Sequence, residues 1–224
     1  MPPKPRPHGK PKHPGPPKKG TDRRLLAIAA AAGVAVVVVA GVALALANGG
    51  DDGPGDARPA LEAAGCTLSA TDALRGVHSI TTPDGTSDEW TTDPPTSGPH
   101  YEVPVIWGTY AEPVNQAQLV HNLEHGGVAI QYGDEVPAAT VEQLESFVQE
   151  NPRGTVLAPY PSLGNQIALG AWVVPNPQDT SDLGTAYLAK CTAFDQSAFD
   201  AFLDAYQFLG PERFPPDSLL PGRT

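Results

Sequence analysis

The chain is poor in sulfur, and that poverty excludes several chemistries at once. Its 224 residues include only two cysteines, Cys66 and Cys191, and one methionine, Met1. With no Cys-x-x-Cys, a thioredoxin-type redox role has no basis, and with no second methionine, Cu(I) carriage by thioether ligands is ruled out. Basic residues are also scarce beyond the first stretch: from residue 25 onward 24 Asp/Glu face six Arg/Lys, a net charge of −18. Such a surface repels nucleic acid and anionic headgroups, so nucleic acid is excluded as a partner. There is no G-x-S-x-G and no glycine-rich phosphate loop, and no internal repeat.

What is present divides the chain into four parts. Residues 1–24 carry eight prolines and eight Lys/Arg, the composition of a solvated, disordered tail. Residues 25–47 are 23 consecutive uncharged residues rich in Ala and Val. As a helix they would run about 34 Å, enough for a hydrocarbon core of about 30 Å. The basic cluster lies on one side, which predicts a cytoplasmic tail, a single membrane pass and an extracytoplasmic C-terminal part. A cleaved signal peptide is the alternative, since Ala45-Leu46-Ala47 fits a small-x-small site, but the apolar run exceeds the usual roughly 7–15 residues of a signal core. On either reading the domain is exported. Residues 48–59 read as a flexible acidic linker, and residues 60–224 as one domain with its own core.

In an exported domain an even pair of cysteines reads as a disulfide, Cys66 with Cys191, joining the domain's two ends; two buried free thiols are the alternative. A short helix with Pro59 in its first turn and Gly65 at its end opens the domain. Strands are expected at 77–80, at 103–110 on an edge because of Pro104, at 127–132, at 155–158 and, centrally, at 167–174. A helix from a Thr140/Gln143 capping box places Val141, Leu144, Phe147 and Val148 on one face. A last helix, capped by Asp195, buries Phe199, Phe202, Leu203 and Tyr206 and ends at Gly210-Pro211. The order predicts an α+β domain whose helices cover one face of a mixed or antiparallel sheet. Trp90, Trp107 and Trp172 are assigned to the core.

The stretch most informative about function is His121-Asn122-Leu123-Glu124-His125-Gly126. On a helix, residues three and four apart are neighbours, with Cβ atoms roughly 5–6 Å apart. On a strand the two histidines would stand about 13 Å apart and could not share an ion. Asn115 as N-cap, the Pro- and Gly-free run 116–125 and Gly126 as terminator predict the helix. The domain's four histidines, His78, His100, His121 and His125, fall within 48 residues of sequence. Four imidazoles with Glu124 near them form a donor set suited to Zn²⁺ or Cu²⁺. Pro94, Pro95 and Pro99 stiffen the turn that delivers His100, and Gly98 permits its bend.

The same residues allow two other readings. The histidines can be structural, hydrogen-bonded and serving the helix end, in an envelope protein that binds an unidentified protein partner without catalysis. Alternatively, H-N-L-E-H fits the H-x-x-E-H pattern of a zinc hydrolase, with Glu124 as general base, though Gly126-Gly127 interrupts the helix directly after it.

The segments Pro94-Pro95-Thr96-Ser97-Gly98-Pro99-His100 and Leu119-Val120-His121-Asn122-Leu123-Glu124-His125-Gly126-Gly127-Val128, with the Gly210-Pro211-Glu212 ending, resemble the bacterial domain of unknown function 3105 family over roughly residues 62–215. The resemblance implies one N-terminal membrane segment followed by an exported domain, and it implies no activity.

Overall fold

The computed structural model describes residues 55–224, which lie within a compact unit running from Gly53 to Thr224. The predicted tail and membrane segment lie outside the described residues. Among the described residues, no helix is long and apolar enough to cross a membrane.

The architecture is α+β. Helix α1 (Arg58–Ala63) leads into strand β1 (Thr67–Asp72), and a long irregular segment then reaches the two-residue strand β2 (Gly108–Thr109). Helix α2 (Gln116–Glu124), strand β3 (Val128–Tyr132), helix α3 (Ala138–Glu150) and strand β4 (Thr155–Pro159) follow. Strands β5 (Ile167–Val173) and β6 (Thr185–Cys191) and helix α4 (Gln196–Tyr206) complete the domain. The six strands form one mixed sheet in the order β1-β6-β5-β3-β4-β2. Strands β3, β4 and β2 run parallel to their neighbours within that group, and the β3-β5, β5-β6 and β6-β1 pairs are antiparallel. Strand β5 is buried along its whole length, as its unbroken apolar sequence predicts for a central strand.

The helices do not share one face of the sheet. Alternation along β3 and β5 sends Val128, Ile130, Leu169 and Ala171 into one core layer with Leu61, Phe147, Phe199 and Phe202 from α1, α3 and α4. Ala129 and Trp172 enter the opposite layer, where α2 alone supplies Leu119, Val120 and Leu123. Burying a Leu or Val side chain contributes roughly 1.5–3 kcal/mol each, which is what seats α2 on the sheet. Gly170 of β5 lies beneath α2, and a Cβ there would come within 3.1 Å of Thr96. The helix and the proline-rich loop thus pack onto the same small-residue hollow.

Several expectations need correction. The predicted linker ends early, because α1 begins at Arg58. The segment 77–80 is not a strand; Val77 makes one isolated parallel bridge to Pro99. Only Gly108–Thr109 of the predicted 103–110 strand pairs, at the sheet edge. Pro104 has no N–H to give, and the adjacent Val105 is held by a side chain: Asn122 Nδ2 donates to its carbonyl and Asn122 Oδ1 accepts from its N–H. Helix α3 starts at Ala138 behind Pro137, with no side-chain cap from Thr140. Helix α4 ends at Tyr206, four residues before Gly210, and Phe208 takes a positive φ of 63° that turns the chain back across the domain. Strands β1 and β6 were not predicted.

The disulfide joins Cys66 to Cys191. Both sulfurs lie in the layer beneath α1, α3 and α4.

Candidate metal centre

Helix α2 carries half of the site. Asn115 Oδ1 accepts the Gln118 N–H at 3.2 Å, satisfying one of the donors a helix start leaves open. His121 and Glu124, three residues apart, therefore project from one face. The helix closes at His125, and Gly126 follows with φ +87°. Here glycine is required: a Cβ on Gly126 would sit 3.0 Å from the Phe208 backbone, and one on Gly127 would meet the Trp107 ring at 2.4 Å.

The loop supplies the other half. Residues 94–100 are all buried, unusual for a connecting segment. They are held by specific bonds. Ser97 Oγ accepts the Leu74 N–H at 3.0 Å, Trp90 Nε1 donates to the Pro99 carbonyl at 3.0 Å, and the His100 N–H donates to the Val77 carbonyl at 3.0 Å. The bridge between Val77 and Pro99 sets His78 beside His100. Tyr101 in turn donates its N–H to Ala117 of α2.

These two halves converge. One ligand atom each from His78, His100, His121 and Glu124 lies within 4.8 Å of every other. His78 stacks on His121 with centroids 4.9 Å apart, and His100 meets both rings edge-on. His100 is fully buried, while the His78 side chain is 43% exposed, so His78 is the most exposed member of the group. It faces a cavity of about 510 Å³ lined also by Tyr101, Asn115 and Gln118. On the Glu124 side a smaller cavity of about 180 Å³ touches Gly76, Trp172 and Glu212.

Proton positions follow from the backbone. His100 Nδ1 lies 2.8 Å from the Gly98 carbonyl and His121 Nδ1 lies 2.7 Å from the Tyr101 carbonyl. A carbonyl can only accept, so each Nδ1 carries the hydrogen and each neutral ring presents a bare Nε2. That is the arrangement in which ligating histidines are commonly held by their surroundings. His100 Nε2 then stands 3.0 Å from Glu124 Oε2, and both atoms are buried without a hydrogen-bond partner. A lone pair facing a carboxylate in a dry pocket is unfavourable unless a cation or a proton lies between them.

Burial raises the Glu124 carboxyl, but a hydrogen bond from a protonated His100 ring, and the charge that His100, His121 and His78 carry when protonated, more than reverse this and hold it below the usual value. Burial lowers His121, which keeps its ring neutral and ligand-competent at neutral pH. His125 is lowered further, to about 4, first by burial and then by the neighbouring His121.

Three of the four predicted ligands, His78, His100 and His121, come together. Glu124 joins them as a donor. His125 stands beside the group, outside the set of four: its Nε2 is 3.0 Å from His121 Nε2, and its ring packs on Phe214 at 4.3 Å. The H-x-x-E-H pattern would use His125 as a ligand and Glu124 as a base beside the ion, whereas here Glu124 belongs to the group of four and His125 stands next to it. Gly76 is a residue that sequence reasoning missed. A Cβ there would lie 2.4 Å from Glu124 Oε1 and 2.9 Å from Trp172, so the absent side chain is what admits the carboxylate. Trp172 is rigid and buried, leaving Glu124 as the group that must yield. If the group holds an ion, Gly76→Ala is expected to weaken its binding about tenfold, the size of effect seen when a ligand's support is lost, with a near-normal far-UV circular dichroism spectrum. Unchanged affinity in a metal titration would show that the carboxylate position is not needed.

The family model described as "Protein of unknown function (DUF3105)" matches residues 82–217, more than half of the chain and including three of the four clustered residues. Comparison with curated proteins and with solved structures gives no match. The sheet, the buried P-P-T-S-G-P-H loop and the histidine-bearing helix are therefore features of a chain that belongs to the DUF3105 family.

Proposed function

We propose that this protein is a membrane-anchored, extracytoplasmic metal-binding protein whose site is formed by His78, His100, His121 and Glu124. The observation that carries the reading is the pair of buried imidazoles pinned through Nδ1 to backbone carbonyls, with the His100 Nε2 facing the Glu124 carboxylate and His121 in the same group of four. Three imidazole nitrogens and one carboxylate oxygen suit Zn²⁺ or Cu²⁺. Bonds of 2.0–2.2 Å at tetrahedral angles separate donors by roughly 3.3 Å. The contacts of Glu124 Oε2 to His100 and His78, 3.0 and 3.7 Å, bracket that figure.

The role we assign is metal handling or accessory assembly at the outer face of the membrane, without turnover. Residues 25–47 supply the anchor on the strength of their length and lack of charge. The disulfide fits an oxidising compartment.

A second reading keeps the histidines structural. The 3.0 Å separation of His100 Nε2 and Glu124 Oε2 also suits a charge-assisted hydrogen bond if a proton takes the place of the metal. The protein would then serve as an envelope interaction protein. Elemental analysis of the untagged full-length protein separates the two, followed by Zn²⁺ and Cu²⁺ titration at about pH 7.5 and again near pH 5.5, where free imidazole is mostly protonated. One metal ion per chain, bound more weakly at the lower pH and about tenfold more weakly in His78→Ala, is the expected result. A protein that neither carries nor takes up metal would leave the structural reading.

A further inference from the structure

His125 has a different job from the other three histidines. His121 Nδ1–H is committed to the Tyr101 carbonyl, so His121 Nε2 can only accept. The 3.0 Å contact between the two Nε2 atoms therefore has one sense: His125 Nε2–H donates to the very lone pair that a metal ion would need. A second acceptor waits on the other side of His125. Glu212 Oε2 lies 3.8 Å from the same nitrogen, on a side chain 54% exposed.

Glu212 is well placed to receive it. Its N–H donates to the Glu124 carbonyl at the end of α2, Phe208 N–H donates to the Gly126 carbonyl, and Arg213 donates to the carbonyls of Val174 and Pro175. Gly210 lets this strap approach closely, since a Cβ there would fall 2.3 Å from the Glu124 carbonyl oxygen. The strap is thus fixed while the His125 ring has two partners within reach.

Resting on the metal-site reading above, we infer that His125 is a gate on that site: in the metal-free protein it closes His121, and on metal binding its N–H passes to Glu212. The gate makes loading a competition between an ion and a hydrogen bond. Removing His125 therefore strengthens binding, the reverse of what removing a ligand does.

The test is a Zn²⁺ titration of the full-length protein against a chromophoric chelator, comparing wild type with His125→Ala, His125→Phe and Glu212→Ala. Phenylalanine keeps the ring volume beside Phe214 and lacks the donor, so it guards against a packing artefact in the alanine variant. Both His125 variants are expected to bind Zn²⁺ a few-fold and at most about tenfold more tightly at unchanged stoichiometry, because the buried bond lost from the metal-free state outweighs the half-exposed one lost from the metal-bound state. Glu212→Ala is expected to bind it a few-fold more weakly. In ¹⁵N-histidine spectra of the wild type, His125 should keep a protonated Nε2 when zinc is bound, while His121 takes the shift of a ligated nitrogen. Weaker binding in both His125 variants makes His125 a ligand and overturns the gate while leaving the metal site standing. Equal binding in both also overturns the gate alone. No binding by wild type and variants alike overturns the gate and the metal site together.

Discussion

Glu124→Gln is expected to separate metal binding from folding stability, moving the two in opposite directions. The substitution keeps the shape of the side chain and removes its charge. In the metal-free domain, the glutamine amide can donate to the bare His100 Nε2 at the present 3.0 Å, satisfying two atoms that are now buried without partners. A net hydrogen bond of that kind contributes about 0.5–1.5 kcal/mol. The metal-free protein should therefore melt at the same temperature or slightly higher. Metal affinity should fall by at least about a hundredfold, beyond what loss of an outer-sphere partner produces, because the only anionic donor in the set is gone. Calorimetric melting beside a Zn²⁺ titration reads both quantities on one sample. Retained affinity would remove Glu124 from the ligand set and send the search back to a histidine-only site.

Breaking the disulfide should produce the largest stability loss. Cys66 and Cys191 are 125 residues apart in sequence, so their bond removes much of the unfolded chain's freedom. The chain-entropy relation gives about 5 kcal/mol for a loop of this size, as an upper figure. A typical domain has about 5–15 kcal/mol in total. For Cys66→Ala/Cys191→Ala, where small apolar side chains take the place of the buried sulfurs, the melting temperature should drop by roughly 10–20 °C. Reduction of the wild type should approach the same value. A drop of only a few degrees would mean that the ends of the domain are held chiefly by the pairing of β1 with β6.

The parts of the fold legible in the sequence were those with local chemical markers. Asn115 and Gly126 delimit α2 because capping and a positive φ are decided within a few residues. Asp195 with the Phe199, Phe202, Leu203 and Tyr206 stripe marks α4 for the same reason. Strands β1 and β6 lacked such markers. Thr67–Asp72 has only two half-buried positions, and Thr185–Cys191 carries Ala and Lys, which favour strands weakly; β1 owes its conformation to pairing with β6, and β6 to pairing with β1 and β5 on its two sides. The 103–110 segment looked like a strand because its apolar content is that of one. Pro104 and the side chain of Asn122 divert its backbone bonding, and no periodicity reports that.

At the site, His78, His100 and His121 were identifiable from residue type and clustering. His125 was expected beside them because four-residue spacing places two side chains on one helical face. The helix ends at that residue, and its ring turns to Phe214 and Glu212 on a strap more than 80 residues later in sequence. Gly76 gave no sign at all. A lone glycine between Arg75 and Val77 acquires meaning only when Glu124 and Trp172 are known to press against it.

The two core layers differ in how they are reinforced. The layer under three helices is closed by a covalent bond between Cys66, just before the first strand, and Cys191, at the end of the last. The opposite layer has one helix and a long irregular segment, with no covalent tie of its own. An ion held by His78, His100, His121 and Glu124 would join that segment to that helix across three separate stretches of chain. It would be the second staple of the domain, doing for the loop-built face what sulfur does for the helical one. Loss of the ion would then loosen one side of the sheet and leave the other intact, so the protein's shape would report its metal content.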